Sequence, residues 1–130
     1  MKILFILVLA LILFGNIEAQ NIVLNQSPEN YQLYVRNADN RAKVLLSGNV
    51  LNDKWPTLEM KCFKDGKLLE KKTEALKFNK QGTTSFKFEQ EIESGLVQYK
   101  FQLTLVNGSK SEICFTADSI VCGDAYIITG

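Results

Sequence analysis

Through most of this chain apolar residues recur at every second position, in short runs separated by turn-forming pairs, and that period constrains the fold more than any other feature. Successive side chains of a strand point to opposite faces, so such spacing builds strands with one apolar and one polar face. Tyr31, Leu33 and Val35 alternate with Gln32, Tyr34 and Arg36 ahead of a turn at Asn37-Ala38-Asp39-Asn40. Strands are predicted over 42–50 and 57–64, and Asp65-Gly66 is a strong hairpin signal that returns the chain through 67–73. A loop through Asn52-Asp53 and Trp55-Pro56 joins the first two of these. After Gln81-Gly82 a strand over 84–92 alternates Phe86 and Phe88 with Lys87 and Glu89. Tyr99, Phe101, Leu103 and Leu105 share one face of the next strand, opposite Lys100, Gln102 and Thr104. Asn107-Gly108 is predicted to fill both central positions of a type I′ turn, with 111–116 as the returning partner. Residues 68–77 mix Lys and Glu without an apolar stripe, which argues against a helix there.

Seven or so short alternating strands predict an all-β, immunoglobulin- or fibronectin type III-like β-sandwich over residues 20–117. Its expected core is Leu33, Val44, Leu46, Val50, Leu58, Met60, Phe86, Phe88, Tyr99, Phe101, Leu103 and Phe115. Leu96-Val97-Gln98-Tyr99 spells a tyrosine corner, in which the Tyr99 hydroxyl bonds backbone a few residues upstream; a plain core aromatic is the alternative.

The ends read differently. Met1-Lys2 followed by an unbroken apolar run over 3–14 and a small residue at Ala19 reads as a signal peptide over 1–19. The run is shorter than the roughly 20 residues a spanning helix needs, so no stable membrane anchor is expected. Export would place the chain outside the cell, at its surface or in a periplasm. Three cysteines, Cys62, Cys114 and Cys122, leave at least one unpaired within the chain. Cys62 falls on the apolar face with Leu58 and Met60 while Cys114 falls opposite Ile113 and Phe115, so no disulfide is expected.

Composition removes several chemistries. The chain has no His, so it holds no Ser-His-Asp or Cys-His constellation and no His-based zinc site. No CxxC or other metal-ligand spacing occurs, and neither metal nor cofactor is expected. A formal net charge of +1 argues against a nucleic-acid surface, which needs clustered unpaired cations. The lysines at 61, 64, 67, 71, 72, 77 and 80 interleave with Glu59, Asp65, Glu70 and Glu74, as on a solvated surface that protects a sheet edge. Trp55, the single tryptophan, is the candidate carbohydrate contact, although a loop Trp also serves to cap a core edge. Asn107-Gly108-Ser109 fits a glycosylation sequon, but the hairpin turn already accounts for it.

Beyond Thr116 the alternation gives way to the near-continuous apolar runs 120–122 and 126–128 around Gly123-Asp124. Such runs suit a parallel strand buried on both faces, and residues 118–130 are therefore expected to open a second, truncated domain. The segment resembles the approach to the catalytic block of sialate O-acetylesterase-like enzymes of the SGNH hydrolase superfamily. Gly123, Asp124 and Tyr126 match that family's Gly-Asp-x-Tyr strand, and Gly130 matches the first residue of its Gly-Gln-Ser-Asn turn. Tyr31-Gln32-Leu33-Tyr34, Arg36 and the Asn-rich turn at 37–40 are similar to the opening of the sandwich that precedes this block in secreted proteins of Bacteroidetes-type bacteria. The resemblance implies a missing C-terminal hydrolase domain as partner, with its nucleophile two residues beyond Gly130 and no catalytic residue in this chain.

Two function classes follow. In one the sandwich is a non-catalytic accessory or spacer domain of a secreted carbohydrate esterase. In the other it is a stand-alone secreted module that binds glycans or serves adhesion through Trp55. They differ over whether 120–128 becomes the last strand of the sandwich itself.

Overall fold

Alternation is clearest in the strand Arg41–Val50, where Ala42, Val44, Leu46, Gly48 and Val50 are all buried and the residues between them are not. The computed structural model describes residues 20–125; the expectations for 1–19, Tyr126 and Gly130 lie outside the described residues. Eight strands run in chain order: β1 (Ile22–Gln26), β2 (Leu33–Val35), β3 (Arg41–Val50), β4 (Thr57–Lys64), β5 (Lys67–Ala75), β6 (Thr84–Glu93), β7 (Tyr99–Asn107) and β8 (Lys110–Gly123). They form a three-stranded sheet, β1-β3-β6, and a five-stranded sheet, β2-β8-β7-β4-β5. Neighbours are antiparallel except β2 and β8, which run parallel. The chain is an all-β, immunoglobulin-like sandwich, and the described residues contain no helix.

The inner faces of both sheets close one core. Val44, Leu46, Val50 and Ile92 of the smaller sheet and Leu58, Met60, Cys62, Phe101, Leu103, Leu105 and Ile120 of the larger are fully shielded from solvent. Tyr99 is also buried, and its hydroxyl accepts the N–H of Glu93 at 3.0 Å and reaches the Glu93 carbonyl at 3.4 Å. This is the tyrosine corner, and it ties the end of β6 to the start of β7. Tyr99→Phe keeps the ring and strands the Glu93 N–H, so urea unfolding should show a loss of about 1–2 kcal/mol.

Three expectations are corrected. Leu33 is 41% exposed rather than core. Because β2 joins as a parallel edge strand with Tyr34 opposite Cys122, Tyr34 takes the core side and Leu33 the outer face. Phe115 is only half-buried, since a register shift between Leu103 and Thr104 breaks the alternation of β8 and sets Cys114 and Phe115 against the core together. The β7–β8 turn is Gly108-Ser109, closed by the pair Asn107 and Lys110, with positive φ at Gly108 and not at its neighbours. By contrast Asp65 and Gly66 both take positive φ, as a type I′ turn requires. Residues 118–123 belong to β8: Ile120 and Cys122 are buried in this core, with Ile120 opposite Tyr99.

Strand β1 has no counterpart in the sequence reading. Its five residues alternate weakly, and a register shift falls between Leu24 and Gln26. What holds it is Gly48, where an added Cβ would lie 2.0 Å from the carbonyl oxygen of Val23. Only glycine lets β1 approach β3 this closely, which explains a glycine inside an otherwise apolar strand.

Candidate functional site

Trp55 sits in the loop between β3 and β4, and local polar bonds set its position. The Asn52 side-chain oxygen accepts the Lys54 N–H at 3.0 Å, forming an Asx turn. The Asn52 amide donates to Asn21 at 3.0 Å, and the Pro56 carbonyl accepts the Leu76 N–H at 2.8 Å. One part of the indole packs against the core. The remainder lines a recess of about 300 Å³ with Lys54, Asn107 and Lys110. Asn107 donates from its side-chain nitrogen to the Lys54 carbonyl at 2.8 Å, which locks the β7–β8 hairpin to the Trp55 loop. Trp55, Asn107 and two lysines, Lys54 and Lys110, therefore line one cavity.

Gly123 and Asp124 lie far from this recess in the fold. Gly123 ends β8 beside Val35, and its carbonyl accepts the Arg36 N–H at 2.9 Å. Asp124 is ion-paired with the Arg36 guanidinium at 2.7 Å, and Arg36 also donates to the Asn40 side chain at 2.6 Å. In this chain Gly123 and Asp124 thus fasten the end of β8 to the chain segment that follows β2. They are not brought together with Trp55.

The thiols are free and none is poised for attack. Burial pushes the Cys62 thiol up to about 12, helped by the charge of Glu70 and opposed by Lys72. Burial likewise raises Cys114 to about 11, and Cys122 is raised by burial against the opposing charge of Arg36. All three remain protonated near neutral pH, whereas a nucleophilic cysteine needs a lowered value.

Charged side chains organise the sheet edges. On β5, an edge strand, Lys71 pairs with Glu59 of β4 at 3.2 Å, and Lys72 donates across the open side of the sandwich to the Glu89 backbone carbonyl of β6. On the outer face of the smaller sheet Arg41 bonds Glu91 at 3.2 Å and Lys43 approaches Glu89 at 3.6 Å. These exposed pairs protect edges rather than form a site. Among the described residues no group of three or more Cys, Asp or Glu side chains is arranged to hold a metal ion.

Lys54, Asn107 and Lys110 were missed as site residues from sequence. Asn107-Gly108 marked the hairpin, but the loop it meets is decided by the pairing of Thr57 with Val106.

No protein-family model matches the chain, and no curated protein matches it. Its structure is similar to that of the CARDB domain of the PF1109 protein from Pyrococcus furiosus, solved in complex with di-metal ions. The TM-score is 0.41 at 13% identity, covering 84% of this chain and 100% of that domain.

Proposed function

We propose that this chain is a non-catalytic β-sandwich module of an exported protein and that it binds carbohydrate in the recess beside Trp55. The observation that carries this reading is the convergence of Trp55 with Asn107, Lys54 and Lys110 on one cavity. A sugar presents an apolar ring face, which stacks on an aromatic, and a rim of hydroxyls, which need donors and acceptors. The positive charge of Lys54 and Lys110, both lining the recess, favours an acidic sugar over a neutral one. Export is supported by the charged start and apolar run over 1–14.

The rival reading makes the chain the front piece of a carbohydrate esterase and rests on Gly123, Asp124, Tyr126 and Gly130. That Ile120 and Cys122 serve this core favours the free-standing module.

Because Trp55 is the only tryptophan, tryptophan emission from the folded chain arises at the recess. Titration with acidic oligosaccharides should shift the emission and saturate, neutral oligosaccharides should bind more weakly, and Lys110→Glu should weaken acidic-sugar binding by about tenfold or more, equivalent to about 1.4 kcal/mol. An unchanged spectrum across acidic and neutral oligosaccharides at millimolar concentration would refute the reading.

A further inference from the structure

Asn107-Gly108 is the one place in the chain where glycine follows asparagine. The order matters chemically, because a backbone amide nitrogen can attack the side-chain carboxamide of the residue before it. A glycine has no Cβ to hinder that approach. The fold leaves the reacting atoms accessible: Asn107, Gly108 and Ser109 are exposed at the tip of the β7–β8 hairpin. The pair Asn107 and Lys110 closes the ladder beneath them, and among the described residues nothing accepts the Gly108 N–H. No atom lies within 4 Å of the position that a Cβ on Gly108 would take, so the turn has room to move. The same Asn107 side chain holds the recess together. Its Nδ2 donates to the Lys54 carbonyl at 2.8 Å, and Asn107 lines the cavity with Trp55.

We propose that Asn107 is a modification site, at which spontaneous conversion of the carboxamide to a carboxylate unlocks the Trp55 loop. The Gly108 nitrogen gives up its proton to base and forms a bond to Asn107 Cγ. The Cγ–Nδ2 bond breaks, and the amide group takes a proton from solvent and leaves as ammonia. Water then opens the cyclic imide at either carbonyl. Opening at Cγ gives aspartate on the ordinary backbone; opening at the main-chain carbonyl gives isoaspartate, with the chain routed through the former side chain. Water is the co-reactant, and nothing is oxidised or reduced. Both products lose the N–H that held Lys54, because a carboxylate only accepts. The Lys54 carbonyl then faces an anion where it had a donor. Isoaspartate also adds a backbone carbon at the end of β7 and upsets the closing pair with Lys110. The pairing of Thr57 with Val106 precedes the modified residue, which confines the change to the loop and the hairpin tip. Under the carbohydrate reading, the new negative charge beside Lys54 and Lys110 also weakens an acidic ligand; the modification itself does not rest on that reading.

Incubation of the full chain at mildly alkaline pH and physiological temperature tests this, followed by peptide mass spectrometry and by acrylamide quenching of Trp55. Asn107 should acquire the mass of an acid at least about tenfold faster than any other asparagine, a barrier difference of about 1.4 kcal/mol. Asp65-Gly66 can isomerise by the same route but without change of mass, so the mass gain is not its product. Quenching of Trp55 should rise in step with conversion, and freshly prepared Asn107→Asp should show the higher quenching from the start. Gly108→Ala should slow both changes by about tenfold or more. Should that variant not fold, since residue 108 has a φ of 59°, Asn107→Gln takes its place, because its longer side chain must close a larger and slower-forming ring. Conversion of Asn107 no faster than that of the other asparagines, full conversion with the quenching of the fresh chain, or quenching that rises equally in the slowed variant, would each overturn the proposal.

Discussion

Replacing Phe101 by Ala should lower the unfolding free energy by about 3–5 kcal/mol, toward the top of the range for buried aromatics. Phe101 is fully shielded, and its cross-strand neighbours are Cys62 on β4 and Ala117 on β8. Both are small, so neither has a side chain able to swing into the space a phenyl ring leaves, and most of the cavity persists. Domains of this size are stable by about 5–15 kcal/mol, so the variant should be partly unfolded at physiological temperature. Urea titration should show a lower midpoint with an unchanged slope. A loss below about 1 kcal/mol would mean that the row Cys62, Phe101, Ala117 does not form the centre of the core.

β3, β4, β6 and β7 were legible from sequence because each keeps one apolar face over many residues. A one-residue slip would bury Lys43, Lys61, Lys87 or Lys100, so period and register specify each other. The Asp65-Gly66 turn was legible because its φ demands exclude most residue types. The misses have a common cause. Leu33-Tyr34-Val35 is apolar throughout, so its alternation names two faces without saying which one is inside; that was settled by the parallel register with Val121, Cys122 and Gly123, nearly ninety residues on. In β8 the irregularity at Cys114 shifts the period by one, and no glycine or proline marks it.

The run over 120–122 is ambiguous for a related reason. Ile120, Val121 and Cys122 look two-faced, but Ile120 and Cys122 enter the core and Val121 lies beside Leu33 on the outer surface. Apolar cover on the outer face comes from an edge strand and does not require a second layer of helices. At the recess, Trp55 stood out as a lone aromatic in a loop. Its companions Asn107 and Lys110 are contributed by a hairpin more than fifty residues away, and proximity of that kind is carried by sheet register rather than by spacing.

The central claim is that residues 118–123 are the sandwich's own strand. Ile120 is fully buried, opposite Tyr99, at the point where the tyrosine corner fastens the two sheets. Deleting its side chain beyond Cβ should therefore destabilise the whole domain. The most direct measurement is equilibrium urea unfolding of Ile120→Ala, followed by the fluorescence of Trp55, which lies in a loop remote in sequence. The account predicts one cooperative transition, destabilised by about 2–5 kcal/mol. A change within about 0.5 kcal/mol, the scale of surface substitutions, would contradict it and return Ile120 to a domain of its own.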